Sequence, residues 1–133
     1  MREIKFRGRS CGFWAHGNLH IRKHDEYGDC AYIIGCTQNP SSTTIVDINT
    51  IGQFTSLRDK NCKDIYEGDI VRYSLDDRKD VGYIGFHARS ASFRVIAKHT
   101  DFGIGNRGEL HELNLEVIGN IHDNPELLKW KRL

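Results

Sequence analysis

Short runs of β-branched and aromatic residues, each closed by glycine, asparagine or aspartate, occupy most of this chain and leave little room for helices. "EIKFR" (residues 3–7) alternates, with Ile4 and Phe6 on one face and Glu3, Lys5 and Arg7 on the other, which is the period of a half-buried strand. "CAYIIG" (30–35), "TTIVDINT" (43–50), "DIVRYS" (69–74), "VGYIGFHA" (81–88), "SFRVIAKH" (92–99) and "NLEVIGNI" (114–121) read as further strands. "GFWAHGNLHIR" (12–22) reads as two short strands around a turn at Gly17-Asn18. "QNPSS" (38–42), "LDDRKD" (75–80) and "ARSA" (88–91) read as connections, and "TDFGIGNRGEL" (100–110) as a mobile glycine-rich loop. The usage of 13 glycines against 2 prolines favours tight turns over irregular linkers. Many short strands at close spacing point to a small barrel or a sandwich.

The C-terminus is where a helix is expected. In "HDNPELLKWKRL" (122–133), Asn124 suits an N-cap, Pro125 the first helical position and Glu126 the positive helix terminus. Leu127, Leu128 and Trp130 would then pack against the strands.

Bulk properties exclude several classes. Charged residues make up 28% and the net charge is +1, so nothing draws the whole chain to nucleic acid or to an anionic membrane. The apolar runs are too short to span a bilayer, and "MREIKFRGRS" lacks the apolar segment of a secretory signal. The expected location is therefore the cytoplasm. Cys11, Cys30, Cys36 and Cys62 contain no C-x-x-C pair and read as reduced, structural thiols, with no metal and no cofactor expected.

The candidate chemical constellations are sparse. His16, His20 and His24 recur every four residues, but on a strand such residues lie roughly 13 Å apart, too far for one metal ion. Glu67 and Asp69 bracket Gly68, where a turn glycine and a backbone-binding aspartate account for them better than acid–base chemistry. No cysteine or serine has a local signature pairing it with a base, so no catalytic residue is assigned and the chain is not read as an enzyme. On the N-terminal strand, Lys5, Arg7 and Arg9 share a face by alternation, which raises a nucleic-acid-binding alternative. Phe13 and Trp14 are the residues expected at a protein interface.

"MREIKFRGR" (1–9), "VDINTIGQFTSLRDKNCKDIYEGDIVRY" (46–73) and "LNLEVIGNIHDNPELL" (113–128) together resemble the YopX-like proteins of bacteriophages and prophages. The likeness is collinear and covers nearly the whole chain. It implies a β-rich fold containing an SH3-like barrel. Joined to the strand and helix readings above, the expected architecture is all-β: an N-terminal β region over residues 1–52, then the barrel with a short C-terminal α-helix over residues 53–133. It also implies a phage-derived protein of unassigned role. With no compact catalytic or metal constellation in the sequence, the chain is expected to act in the host bacterial cell as a protein-interaction or assembly module, through a protein partner or as a homo-oligomer. Relatives carry Lys-Asn-Gly-Lys where this chain has Lys60-Asn61-Cys62-Lys63. Because Asn tolerates positive φ better than Cys, Asn61 is expected to take the left-handed position and leave Cys62 at negative φ.

Overall fold

A computed structural model describes residues 2–75, 77–104 and 114–130. The chain divides into two compact units, Met1–Ser56 and Leu57–Leu133.

In the first unit, β1 (Phe6–Ser10) and β2 (Phe13–Arg22) form an antiparallel hairpin, followed by β3 (Cys30–Ile34) and the long β4 (Thr43–Arg58). β2 does not break at Gly17-Asn18. Its first half pairs with β1 up to Phe6↔Gly17, and its second half pairs with β3 from Asn18↔Ile34 onward. Gly17 stands at that hand-over for space: a Cβ there would collide with the backbone oxygen of Ile34. The glycine serves a close approach of strands rather than a turn. β4 likewise changes partner, pairing with β3 over Thr43–Val46 and with β1 from Asp47 to Gln53. Ala15, Ala31, Ile33 and Val46 form the core of this unit.

In the second unit, β6 (Asp69–Leu75), β7 (Arg78–His87), β8 (Ser92–Ile96), β9 (Asp101–Gly103) and β10 (Glu116–Asn120) make a five-stranded antiparallel sheet in the order β10-β6-β7-β8-β9. β5 (Asp64–Tyr66) pairs instead with the end of β4. Alternation places Val71 and Tyr73 of β6, Ile84 of β7 and Val95 of β8 in one core with Ile65, Ala97, Ile104 and Leu115.

The expected SH3-like barrel is not formed. The sheet of the second unit, where that barrel was expected, is open: among the described residues β9 and β10 stand at its opposite ends with no pairing between them. The glycine-rich loop expected over 100–110 begins instead with the short edge strand β9, and its residues 105–110 lie outside the described ones.

The expected C-terminal α-helix is also absent from the described residues, where a single 3-10 turn, Pro125–Leu127, stands in its place. Asn124 does not cap it. Its side-chain oxygen accepts the backbone N–H of Asn120 at 3.3 Å, behind the turn. Leu128 is 1% exposed and the Trp130 ring stacks on Tyr83 at 6.4 Å. Two apolar contacts two residues apart suit an extended path, because positions i and i+2 point away from each other on an α-helix. So short a segment cannot nucleate a helix against those contacts.

The turn from Asp59 to Lys63 overturns the expectation for Cys62, which itself takes φ 63°. Cys62 N–H donates to the Asp59 carbonyl at 3.0 Å, closing a turn over Lys60 and Asn61, and Asp59 N–H donates to the Lys63 carbonyl at 2.8 Å. This is a three-residue hairpin connection with a left-handed bulge residue, the place that favours glycine. Its geometry is held by Asp59, a buried side chain. Oδ1 of Asp59 accepts the N–H groups of Asn61 (2.8 Å) and Lys63 (2.9 Å), while Oδ2 accepts the N–H of Val117 on β10 (2.9 Å). Burial raises the Asp59 pKa, but these three backbone donors and the Lys63 charge outweigh it and hold the carboxyl below its ordinary value.

Candidate interaction surface

The β1–β2 hairpin gathers the residues singled out from the sequence, and the fold uses them unequally. Lys5 Nζ lies 4.6 Å from the centre of the Phe54 ring and 3.5 Å from the Glu3 carboxylate. The Arg7 guanidinium lies 4.7 Å from the centre of the Trp14 ring, and Arg7 is only 8% exposed. Arg7 pairs across the ladder with His16, and Arg9 with Trp14, so the Arg7–Trp14 contact is diagonal between neighbouring strands. Both cations are thus committed to aromatic faces within the unit. Arg9 is half-buried, and its backbone N–H donates to Thr50 Oγ1 at 2.8 Å. The three residues do not make an exposed basic row.

Phe13 and Trp14 separate in the same way. Trp14 is half-buried under Arg7, whereas Phe13 is 52% exposed at the hairpin tip. Beside the tip lies a shallow cavity of about 410 Å³, lined by Arg9, Ser10, Cys11, Gly12, Ile45, Val46 and Asp47. It opens where the β1–β4 ladder ends at Arg9↔Asp47, so the tip and the start of β4 diverge. Ile45, 59% exposed, forms part of its wall. Sequence reasoning missed Ile45, because alternation places it on the outward face of a strand, where no pattern distinguishes a wall from a solvated position.

The remaining constellations resolve into structure. Asp69 is buried and its Oδ2 accepts the N–H of Tyr66 at 2.7 Å, while Gly68 takes φ 90° in the turn between them. His16 and His20 lie along β2, with the His20 ring 6.4 Å from that of Tyr32. Among the described residues no three His, Cys, Asp or Glu side chains gather closely enough to hold a metal ion, and all four cysteines are free thiols.

A family model described as YopX protein matches residues 5–129. The chain belongs to the YopX family. The phage association implied by the sequence is therefore that of its own family, and the β-rich architecture is seen in this chain's own strands. The fold of this YopX-family chain is similar to the crystal structure of protein EF1440 from Enterococcus faecalis. The two share 23% identity over 96% of this chain and 99% of that one, with a TM-score of 0.53. At that identity the likeness concerns the fold alone. No curated protein matches the chain. Among the described residues no helix is long and apolar enough to cross a membrane.

Proposed function

We propose that this YopX-family protein is a non-enzymatic accessory protein of phage or prophage origin, acting in the bacterial host cytoplasm through protein–protein contacts. The observation that carries this reading is the hairpin tip, where exposed Phe13 directly follows Cys11 and Gly12, which line an open cavity together with exposed Ile45. A large aromatic beside a recess is the kind of feature that supplies most of the affinity at protein interfaces. The alternative, a nucleic-acid surface on Lys5, Arg7 and Arg9, loses support because two of the three cations lie on Phe54 and Trp14.

Light scattering combined with affinity capture from phage-infected cells tests the proposal. A self-assembled species, or a protein partner retained on the column, supports it. A monomer that retains no protein contradicts it. A DNA or RNA complex that weakens steeply with added salt would favour the alternative instead.

A further inference from the structure

The tip of the β7–β8 hairpin carries a hydrogen-bonded chain that the surface reading leaves unused. His87 and Ser92 close the ladder, and Ala88 to Ala91 form the connection, with Ala91 N–H donating to the Ala88 carbonyl at 3.3 Å. His87 Nδ1 lies 3.0 Å from Ser90 Oγ and 3.3 Å from the backbone nitrogen of Ser90, and Ser90 Oγ lies 2.7 Å from Ser92 Oγ. One of these contacts fixes the direction of all the others. A backbone N–H can only donate, so the Ser90 contact assigns the lone pair to Nδ1 and the ring proton to Nε2. With no proton on Nδ1, the Ser90 hydroxyl donates to it. Its oxygen is then left to accept from Ser92.

We propose that this tip is a proton-operated latch, in which protonation of His87 at Nδ1 releases the Ser90 amide and reverses the hydroxyl chain. An N–H on Nδ1 faces the Ser90 N–H donor to donor, so that bond is lost. The Ser90 oxygen turns to accept from Nδ1, its proton swings toward Ser92, and Ser92 becomes the acceptor. No bond beyond these hydrogen bonds changes, and the proton comes from solvent, because the tip is exposed.

Arg89 lies in the same connection, and Arg94 of β8 lies on the same face as His87, where its guanidinium is held 3.5 Å from the Asp101 carboxylate of β9. β6 pairs with β7 only as far as Tyr83, so no β6 side chain stands opposite His87. Among the described residues no carboxylate contacts the imidazole. The latch adjoins an aromatic pair, exposed Phe86 and half-buried Phe93, whose rings meet edge to face at 5.3 Å.

Nitrogen and amide-proton NMR of the full chain tests the proposal, from about pH 8 to about pH 5, the range in which histidine side chains change charge. The expected result is a lone-pair Nδ1 at the alkaline end and a Ser90 amide shift that follows the same midpoint as the His87 ring. Exchange of the Ser90 amide, corrected for intrinsic pH dependence, should rise about fivefold on the acid side. His87→Asn offers a side-chain oxygen that accepts the same N–H without titrating, so its Ser90 amide should not respond. A proton on Nδ1 at high pH, a Ser90 amide indifferent to the His87 midpoint, or a Ser90 response that persists in His87→Asn would each overturn the latch.

Discussion

Replacing Asp59 with alanine removes one side chain that accepts three backbone donors: Asn61 N–H, Lys63 N–H and Val117 N–H. Hydrogen bonds to an ionised acceptor contribute about 1.5–3 kcal/mol each when the donor has no other partner. Asn61 and Lys63 are exposed, so water takes over their amides and each loss costs about 0.5 kcal/mol. Val117 is half-buried, and the loss of its bond costs about 2 kcal/mol. The sum is about 3 kcal/mol. With about 2.1 cal/mol/K of unfolding entropy per residue over 133 residues, a single cooperative transition would fall by about 10 °C. Urea unfolding followed by tryptophan fluorescence reads the difference.

The pH dependence supplies a second arm. The folded pKa of Asp59 lies below the ordinary 3.8, so its stabilising contribution is complete above that value and is lost as pH falls through the folded value. The advantage of wild type over Asp59→Asn should therefore be constant near neutrality and shrink in acid below pH 3.8. An Asp59→Ala variant within about 0.5 kcal/mol of wild type, or a gap to Asp59→Asn that persists in acid, would refute the role given to this carboxylate.

Three further outcomes follow from the same geometry. Cys62→Gly should raise stability by about 0.5–1 kcal/mol, since the left-handed penalty of about 1–2 kcal/mol at Cys62 exceeds the extra chain entropy of glycine; a lower urea midpoint would contradict it. Gly17→Ala should cost about 1–3 kcal/mol, because its new methyl meets the Ile34 carbonyl, and equal midpoints would contradict that. Tyr73 should ionise above the ordinary tyrosine value of 10.0, through burial first and the Asp80 charge second, and stability should decline as pH rises through the tyrosine range. A Tyr73→Phe variant that loses stability over the same alkaline range as wild type would contradict that assignment.

The strands were legible where alternation and β-branched residues coincide, as at Asp69–Leu75 and Ser92–Ile96. Glycine misled the reading at Gly17, because a glycine needed for strand contact has the same local appearance as one needed for a turn. The C-terminal helix misled it for a different reason. Asn124, Pro125 and Glu126 are sound helix-start signals, but Leu128 and Trp130 are committed to contacts at a spacing that no α-helix offers. Closure of the second unit into an SH3-like barrel was implied by family likeness, and strand pairing at the sheet ends has no signature in residue type. Cys62 keeps the left-handed position against its own preference because Asp59 fixes both sides of the turn. An aspartate two residues before an asparagine in a turn is a legible signal for that anchor. At the candidate surface, Lys5 and Arg7 looked solvated from alternation alone, since their partners Phe54 and Trp14 come from other strands.

The protein is proposed to work through contacts made at the β1–β2 hairpin tip. The most direct measurement is parallel affinity capture from phage-infected cells with wild type and Phe13→Ser, after equal unfolding midpoints show both to be folded. The account predicts a defined protein partner on the wild-type column and at least about tenfold less of it on the variant, the loss of about 1.4 kcal/mol or more that one interface aromatic can supply. Equal recovery from both columns, or a wild-type protein that is monomeric by light scattering and retains no protein, would contradict it.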